Sequence, residues 1–141
     1  MTQGETFDAA GQRAPSADLL QYTHIIYGLH TLSIIIGVTT AATIVGNFVF
    51  GLPSIIAVIM NYVKRSDARG TMLESHFEWQ IRTFWTAAIV LVCAFIFSAP
   101  LVLALGLGFV TYFLAAAILG IWVIYRVAKG WLALRDGKMI A

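Results

Sequence analysis

The sequence predicts an all-α integral membrane protein: a four-helix bundle with a cytoplasmic, interfacial amphipathic helix between its second and third helices. Three observations carry this. Hydrophobic residues make up 60% of the 141 residues and charged residues only 11%, against roughly half and a quarter in a soluble domain. The apolar residues gather into four long runs, on the scale of the roughly 20 residues that span a hydrocarbon core. All nine Lys and Arg residues fall on one side of the topology those runs define. A mean hydropathy of +0.84 agrees that lipid is the solvent for much of the chain.

Residues 1–18 hold Gly, Gln, Thr, Ser and Pro15, with Glu5, Asp8, Arg13 and Asp18 as the charges. They lack the basic start and apolar centre of a secretory signal and read as a flexible cytoplasmic tail. Ser16 or Asp18 is placed to cap the helix that follows. Residues 19–141 form the four-span membrane domain. Its first helix covers about 19–45, with Tyr22, His24 and Tyr27 as an aromatic interfacial belt. Ser33, Gly37 and Ala41 recur every four residues and make a small-residue face for close helix packing. Gly46-Asn47 signals a turn, and the second helix covers about 48–63. Pro53 removes a backbone donor, so this helix is expected to start at Pro53 or kink around it.

The polar stretch from Tyr62 to Trp85 follows. Lys64, Arg65 and Arg69 form a basic turn suited to anionic lipid headgroups. Thr71-Met72-Leu73-Glu74 fits a capping box, so an interfacial helix is expected over about 72–82. Leu73, Phe77, Ile81 and Phe84 share one face of it, and Glu78 and Arg82 are spaced as an i,i+4 pair. The third span covers about 83–105, with Ser98-Ala99-Pro100 bending or fraying its end. Gly106-Leu107-Gly108 turns the chain into the fourth, about 109–134, whose Trp131 and basic residues suit an interfacial end.

The nine cations are Arg13, Lys64, Arg65, Arg69, Arg82, Arg126, Lys129, Arg135 and Lys138. The turns near Gly46 and Gly106 carry none. The positive-inside rule then places both termini and the central stretch in the cytoplasm, for a multi-pass protein of the bacterial inner membrane.

The chemistry is sparser. No Asp, Glu, Lys or Arg interrupts the apolar runs Leu19–Val45, Phe48–Val63, Thr83–Leu105 and Phe109–Tyr125, which disfavours proton relays and ion pathways. Walker A, G-x-S-x-G and H-E-x-x-H motifs are missing, and no enzyme activity is expected. Glu74, His76 and Glu78 fail as a metal set, because residues two apart on a helix point to nearly opposite sides. No metal or other cofactor is expected. His24 and His30 share a helix roughly 120° apart, so a haem between them requires a dimer. Tyr27, His30 and Thr31 share a face and suggest an intramembrane polar cluster. Cys93, alone in an apolar run, reads as small apolar filler.

Two motifs resemble a known group. NYVKRSDARGT followed by ESHFEWQIRTFW, Asn61 to Trp85, and YRVAKGWLALRDGK, Tyr125 to Lys138, look like the signature of small bacterial membrane proteins. These form a domain-of-unknown-function family distantly similar to the Tic-twenty component of the chloroplast protein-import channel. The motif matches fall at His76, Trp79, Gln80, Arg82, Tyr125, Lys129, Gly130, Trp131 and Gly137. The resemblance implies a four-helix topology and brings no activity, cofactor or catalytic residue.

The functional expectation is an interaction, accessory or assembly subunit. Its surface would comprise His76, Glu78, Trp79, Gln80, Arg82, Arg126, Lys129 and Trp131. The partners would be membrane lipid and another membrane protein or a second copy in a homo-oligomer, with no role for nucleic acid. Two alternatives stand beside it: a small oligomeric channel or transporter using the interrupted second helix and the Tyr27/His30/Thr31 cluster, and a haem- or quinone-binding redox subunit.

Overall fold

The structure, a computed structural model, describes residues 6–8, 11–40 and 44–141. Among these it contains four α-helices: α1 (Ala17–Thr40), α2 (Ile44–Ala68), α3 (Met72–Leu105) and α4 (Gly108–Arg135). Of the two candidate caps for α1, Ser16 is the one used. Its hydroxyl accepts the Leu19 N–H at 3.2 Å, satisfying one of the donors a helix start leaves orphaned. The buried face of α1 is Leu19, Thr23, Ile26, Tyr27, His30 and Ser33, three of them polar. Residues 41–43, and with them Ala41 of the small-residue face, lie outside the described residues.

The second element differs from expectation. The backbone is helical from Ile44, through Gly46-Asn47, and Pro53 lies within α2. A proline is tolerated inside a membrane helix where neighbouring groups re-satisfy the backbone it frees. The turn to α3 is built by Gly70, at φ +72°, a conformation that costs glycine least. The capping box is shifted from its usual form. The Thr71 hydroxyl accepts the Leu73 N–H at 3.2 Å, and the Glu74 carboxylate accepts from Gly70 rather than Thr71, at 3.0 Å.

The separate interfacial helix over about 72–82 is corrected to the opening turns of α3. One unbroken helix of 34 residues runs from Met72 to Leu105, with Pro100 inside it. Nothing between Leu73 and Ala99 breaks a helix, so the interfacial and spanning parts fuse. At 1.5 Å per residue α3 is about 50 Å long, well beyond a hydrocarbon core of about 30 Å. The α4 end is closed by Gly137, at φ +65°. Lys138 N–H donates to Ala133 C=O at 2.9 Å and Gly137 N–H to Leu134 C=O at 3.0 Å, the paired bonds of a Schellman motif.

The helices form two antiparallel hairpins. Tyr22 donates to the Met60 carbonyl at 3.1 Å, while His30, further along α1, meets Ser54, further back on α2. Likewise α3 lies against α4, from the Trp79–Arg126 contact to the Ser98–Thr111 hydroxyl pair at 3.1 Å. The hairpins join at the end carrying the chain's charges, where Tyr27, Ala57, Leu73, Phe77, Val127 and Leu134 belong to one core cluster. Past Thr83, Ser98 is the one buried residue among the described side chains of α3, and Phe97 is 75% exposed. Among the described residues three helices, α1, α3 and α4, are long and apolar enough to cross a membrane. The expected fourth span falls on α2, where the side chains of residues 44–50 lie outside the described ones and no Asp, Glu, Lys or Arg occurs from Ile44 to Val63.

Candidate functional site

The site builds outward from Tyr27, which is fully buried. Its ring stacks on Trp131 of α4, centroids 6.4 Å apart and planes 8° from parallel, and meets His76 of α3 edge-on at 6.0 Å. Gly130 permits this approach. A Cβ there would lie 2.8 Å from Cε1 and 2.9 Å from Cζ of the Tyr27 ring, inside van der Waals contact.

His76 joins three segments. Its Nε2 lies 2.7 Å from the Lys138 carbonyl oxygen, and its Nδ1 3.0 Å from the Tyr27 hydroxyl. A carbonyl only accepts, so Nε2 carries the proton and donates; Nδ1 then accepts from the tyrosine. The imidazole is neutral and its tautomer is assigned by these partners. The Ser75 hydroxyl accepts the Ile140 N–H at 3.1 Å beside it. Trp131 Nε1–H donates to His24 Nδ1 at 3.0 Å, tying α4 back to α1.

One turn along, Trp79 Nε1–H donates to the Arg126 carbonyl at 3.0 Å, while the Arg126 guanidinium lies over the Trp79 ring, 3.5 Å from its centroid. Arg126 Nε–H donates to the Thr83 hydroxyl at 2.6 Å, and that hydroxyl donates to the Trp79 carbonyl at 2.7 Å. The Lys129 ammonium lies 5.0 Å from the same indole. A cation over an indole contributes about 0.5–2 kcal/mol, more as water is excluded. Here it takes the place of a carboxylate partner.

The expected surface residues therefore separate. His76 and Gln80 are buried, at 0% and 2% exposure, and hold the bundle together rather than face outward. Trp79, Arg126 and Trp131 are half-buried in the α3–α4 contact; Glu78, Arg82 and Lys129 are exposed around it. The buried face of α3 runs Leu73, His76, Phe77, Gln80 and Thr83, leaving Ile81 and Phe84 half-buried. Glu78 and Arg82 do not pair. The ion pairs among the described residues are Lys64–Asp67 at 2.8 Å and Arg135–Asp136 at 3.3 Å.

Tyr27, His30 and Thr31 are also divided among partners. Tyr27 meets α3 and α4, His30 Nδ1 lies 3.2 Å from Ser54 of α2, and the Thr31 hydroxyl returns to its own helix at the Tyr27 carbonyl. Of the basic turn, Lys64 is tied to Asp67, whereas Arg65 and Arg69 are exposed. The Asp67 hydrogen bond holds the Lys64 ammonium above its ordinary pKa, and Lys64 in turn holds the Asp67 carboxyl below its own. The described part of the expected tail is engaged with this turn: the Arg13 guanidinium donates to the carbonyls of Arg69 at 2.8 Å and Asp67 at 3.4 Å. An open hollow of about 640 Å³ lies between this segment and Tyr22, Lys64 and Thr71. Cys93 is exposed on α3 rather than packed in the interior.

Sequence reasoning passed over Asn61, Ser54 and Thr83. Asn61 is fully buried, and the signal was available: a lone amide four and eight residues beyond Ala57 and Pro53, both buried, on one helical face. Neither amide atom of Asn61 or Gln80 finds a partner among the described residues, although Gln80 lies beside Tyr27. A buried polar group without a partner costs about 1–3 kcal/mol. Comparisons with family models, with curated proteins and with solved structures return no match for this chain.

Proposed function

We propose that the protein is a four-span component of the bacterial inner membrane, with both termini cytoplasmic, acting by interaction as an accessory or assembly subunit. The observation that carries this reading is the Trp79–Arg126 clamp, flanked by exposed Glu78, Arg82 and Lys129. The clamp, which also draws the Lys129 ammonium to the Trp79 ring, immobilises a mixed-charge rim in which Glu78 and Arg82 enter no ion pair among the described residues. A rigid rim of this kind binds a partner at low ordering cost, and its charges set orientation and choice of partner. Lys64, Arg65 and Arg69 rest at the headgroups, each contributing about 1 kcal/mol near an anionic surface. The grouping of all nine cations supports the cytoplasmic assignment.

The test is site-specific photocrosslinking in native membranes, with the probe at Glu78, at Lys129 and, as a lipid-facing control, at Ile118. A discrete protein adduct is expected at both rim positions and not at Ile118. Adducts of the same pattern at all three positions, or none at the rim, would refute the reading. The channel or transporter alternative draws on a different observation, the unpaired amides of Asn61 and Gln80.

A further inference from the structure

Four interior side chains on three helices keep hydrogen-bonding atoms that have no partner among the described residues. They are His30 Nε2 and Ser33 Oγ on α1, both amide atoms of Asn61 on α2, and both of Gln80 on α3. Asn61 is 0%, Ser33 1%, Gln80 2% and His30 7% exposed.

These side chains line one seam at different depths. The Tyr22–Met60 and His30–Ser54 contacts set Asn61 about level with Tyr22, and Ser33 lies about 16 Å further along α1. Met60 and Tyr62, the neighbours of Asn61, reach α1 through Tyr22 and α3 through Trp85. Enclosed between those contacts, Asn61 faces the seam where the three helices meet. Gln80 enters the seam beside Tyr27, and Tyr27 is followed by His30 and Ser33 on the same buried stripe of α1. Ser54, in contact with His30, closes the α2 side.

Buried polar groups in folded proteins are almost always satisfied, and the requirement is stricter where the surroundings are lipid. A single orphaned atom is a local defect; six in one seam describe the complement of something. Each amide offers a donor and an acceptor, and the Ser33 hydroxyl offers both, so the complement must also do both. Among the described residues no buried side chain is a carboxylate, ammonium or guanidinium, and an ion in the seam would have no countercharge. The complement is therefore uncharged. We propose that the α1–α2–α3 seam is an internal binding site for small neutral molecules that both donate and accept hydrogen bonds, water being the smallest. The proposal is independent of what the outer rim binds.

The experiment uses the full chain in lipid bilayers, with ¹⁵N in the Asn and Gln side-chain amides. Solid-state NMR with magnetisation transferred from water is followed by titration with acetamide, a neutral donor and acceptor. Transfer from water to Asn61 and Gln80 alongside that to exposed Gln21 is the expected result. A saturable acetamide shift at Asn61 and Gln80, with Gln21 unmoved, would show that the seam accepts a small amide too. Transfer to Gln21 alone, with no acetamide shift at Asn61 or Gln80, would overturn the proposal.

Discussion

Two contacts at the same end of the bundle are finished to different degrees. Between α3 and α4, Trp79, Thr83 and Arg126 complete one another's hydrogen bonds, and His76 uses both ring nitrogens. Between α1, α2 and α3, Asn61 and Gln80 are as deeply enclosed as His76 and find no partner for either amide atom among the described residues. His76, Thr83, Asn61 and Gln80 are all buried, while Trp79 and Arg126 are half-buried. The two contacts differ in the partners within reach: across α3–α4 the Arg126 carbonyl and the Thr83 hydroxyl receive the facing donors, whereas no described group hydrogen-bonds to the Asn61 and Gln80 amides. A polar side chain rigidifies a membrane bundle only where the opposite element offers a free partner.

The sharpest way to break the finished contact is Gly130→Ala. The added methyl meets the Tyr27 ring, which is held by Trp131 on one side and His76 on another. The variant should lose about 3 kcal/mol, the upper part of the overpacking range, read as a fall in unfolding midpoint in detergent. An unchanged midpoint would mean that Tyr27 moves freely and that the contact is not rigid.

A smaller effect is expected from Tyr27→Phe, which keeps the stacked ring and removes the donor to His76 Nδ1. The loss should be about 1–2 kcal/mol, the cost of an unpaired buried acceptor. In a double-mutant cycle with His76→Phe, most of that loss should disappear; additive losses would assign it to something other than this bond.

The smallest effect belongs to Asp67→Asn, outside both contacts. Lys64 depresses the Asp67 carboxyl in the folded protein, so its contribution is present above the ordinary value of 3.8 and is lost as the pH falls through the lower folded value. Lys64 is raised, so its share is full below the ordinary 10.5 and is lost as the pH rises through the higher folded value. The midpoint difference between wild type and variant should be small and level across neutral pH, because the pair is exposed, and should close only under strong acid or strong base.

Much of the helical plan was legible because it depends on local quantities. Length and apolarity mark α1, α3 and α4, and the glycines at positions 70 and 106 mark turns, each with positive φ. The misplacements come from residues whose local meaning lipid and packing override. Pro53 and Gly46 read as breaks, yet lie within α2. Thr83 read as the start of a span, yet continues a helix begun at Met72. The site was legible as a pair of segments, Glu74–Trp85 and Tyr125–Lys138, that share one end of the bundle.

What the chain determined by itself was this placement: which stretches are apolar, which end gathers the cations, and which short-range caps and turns close the helices. Those follow from side-chain chemistry and spacing alone. The tertiary structure decided which side of α3 is inner, turning His76 and Gln80 inward and leaving Glu78 and Arg82 outside. It also decided that the Lys138 carbonyl, 62 residues away, fixes the tautomer of His76. No local pattern encodes the inward turn of His76 and Gln80 or the Lys138 contact, because each depends on the rotation of one helix against three others; Gly130 permits the close approach of Tyr27 within that packing.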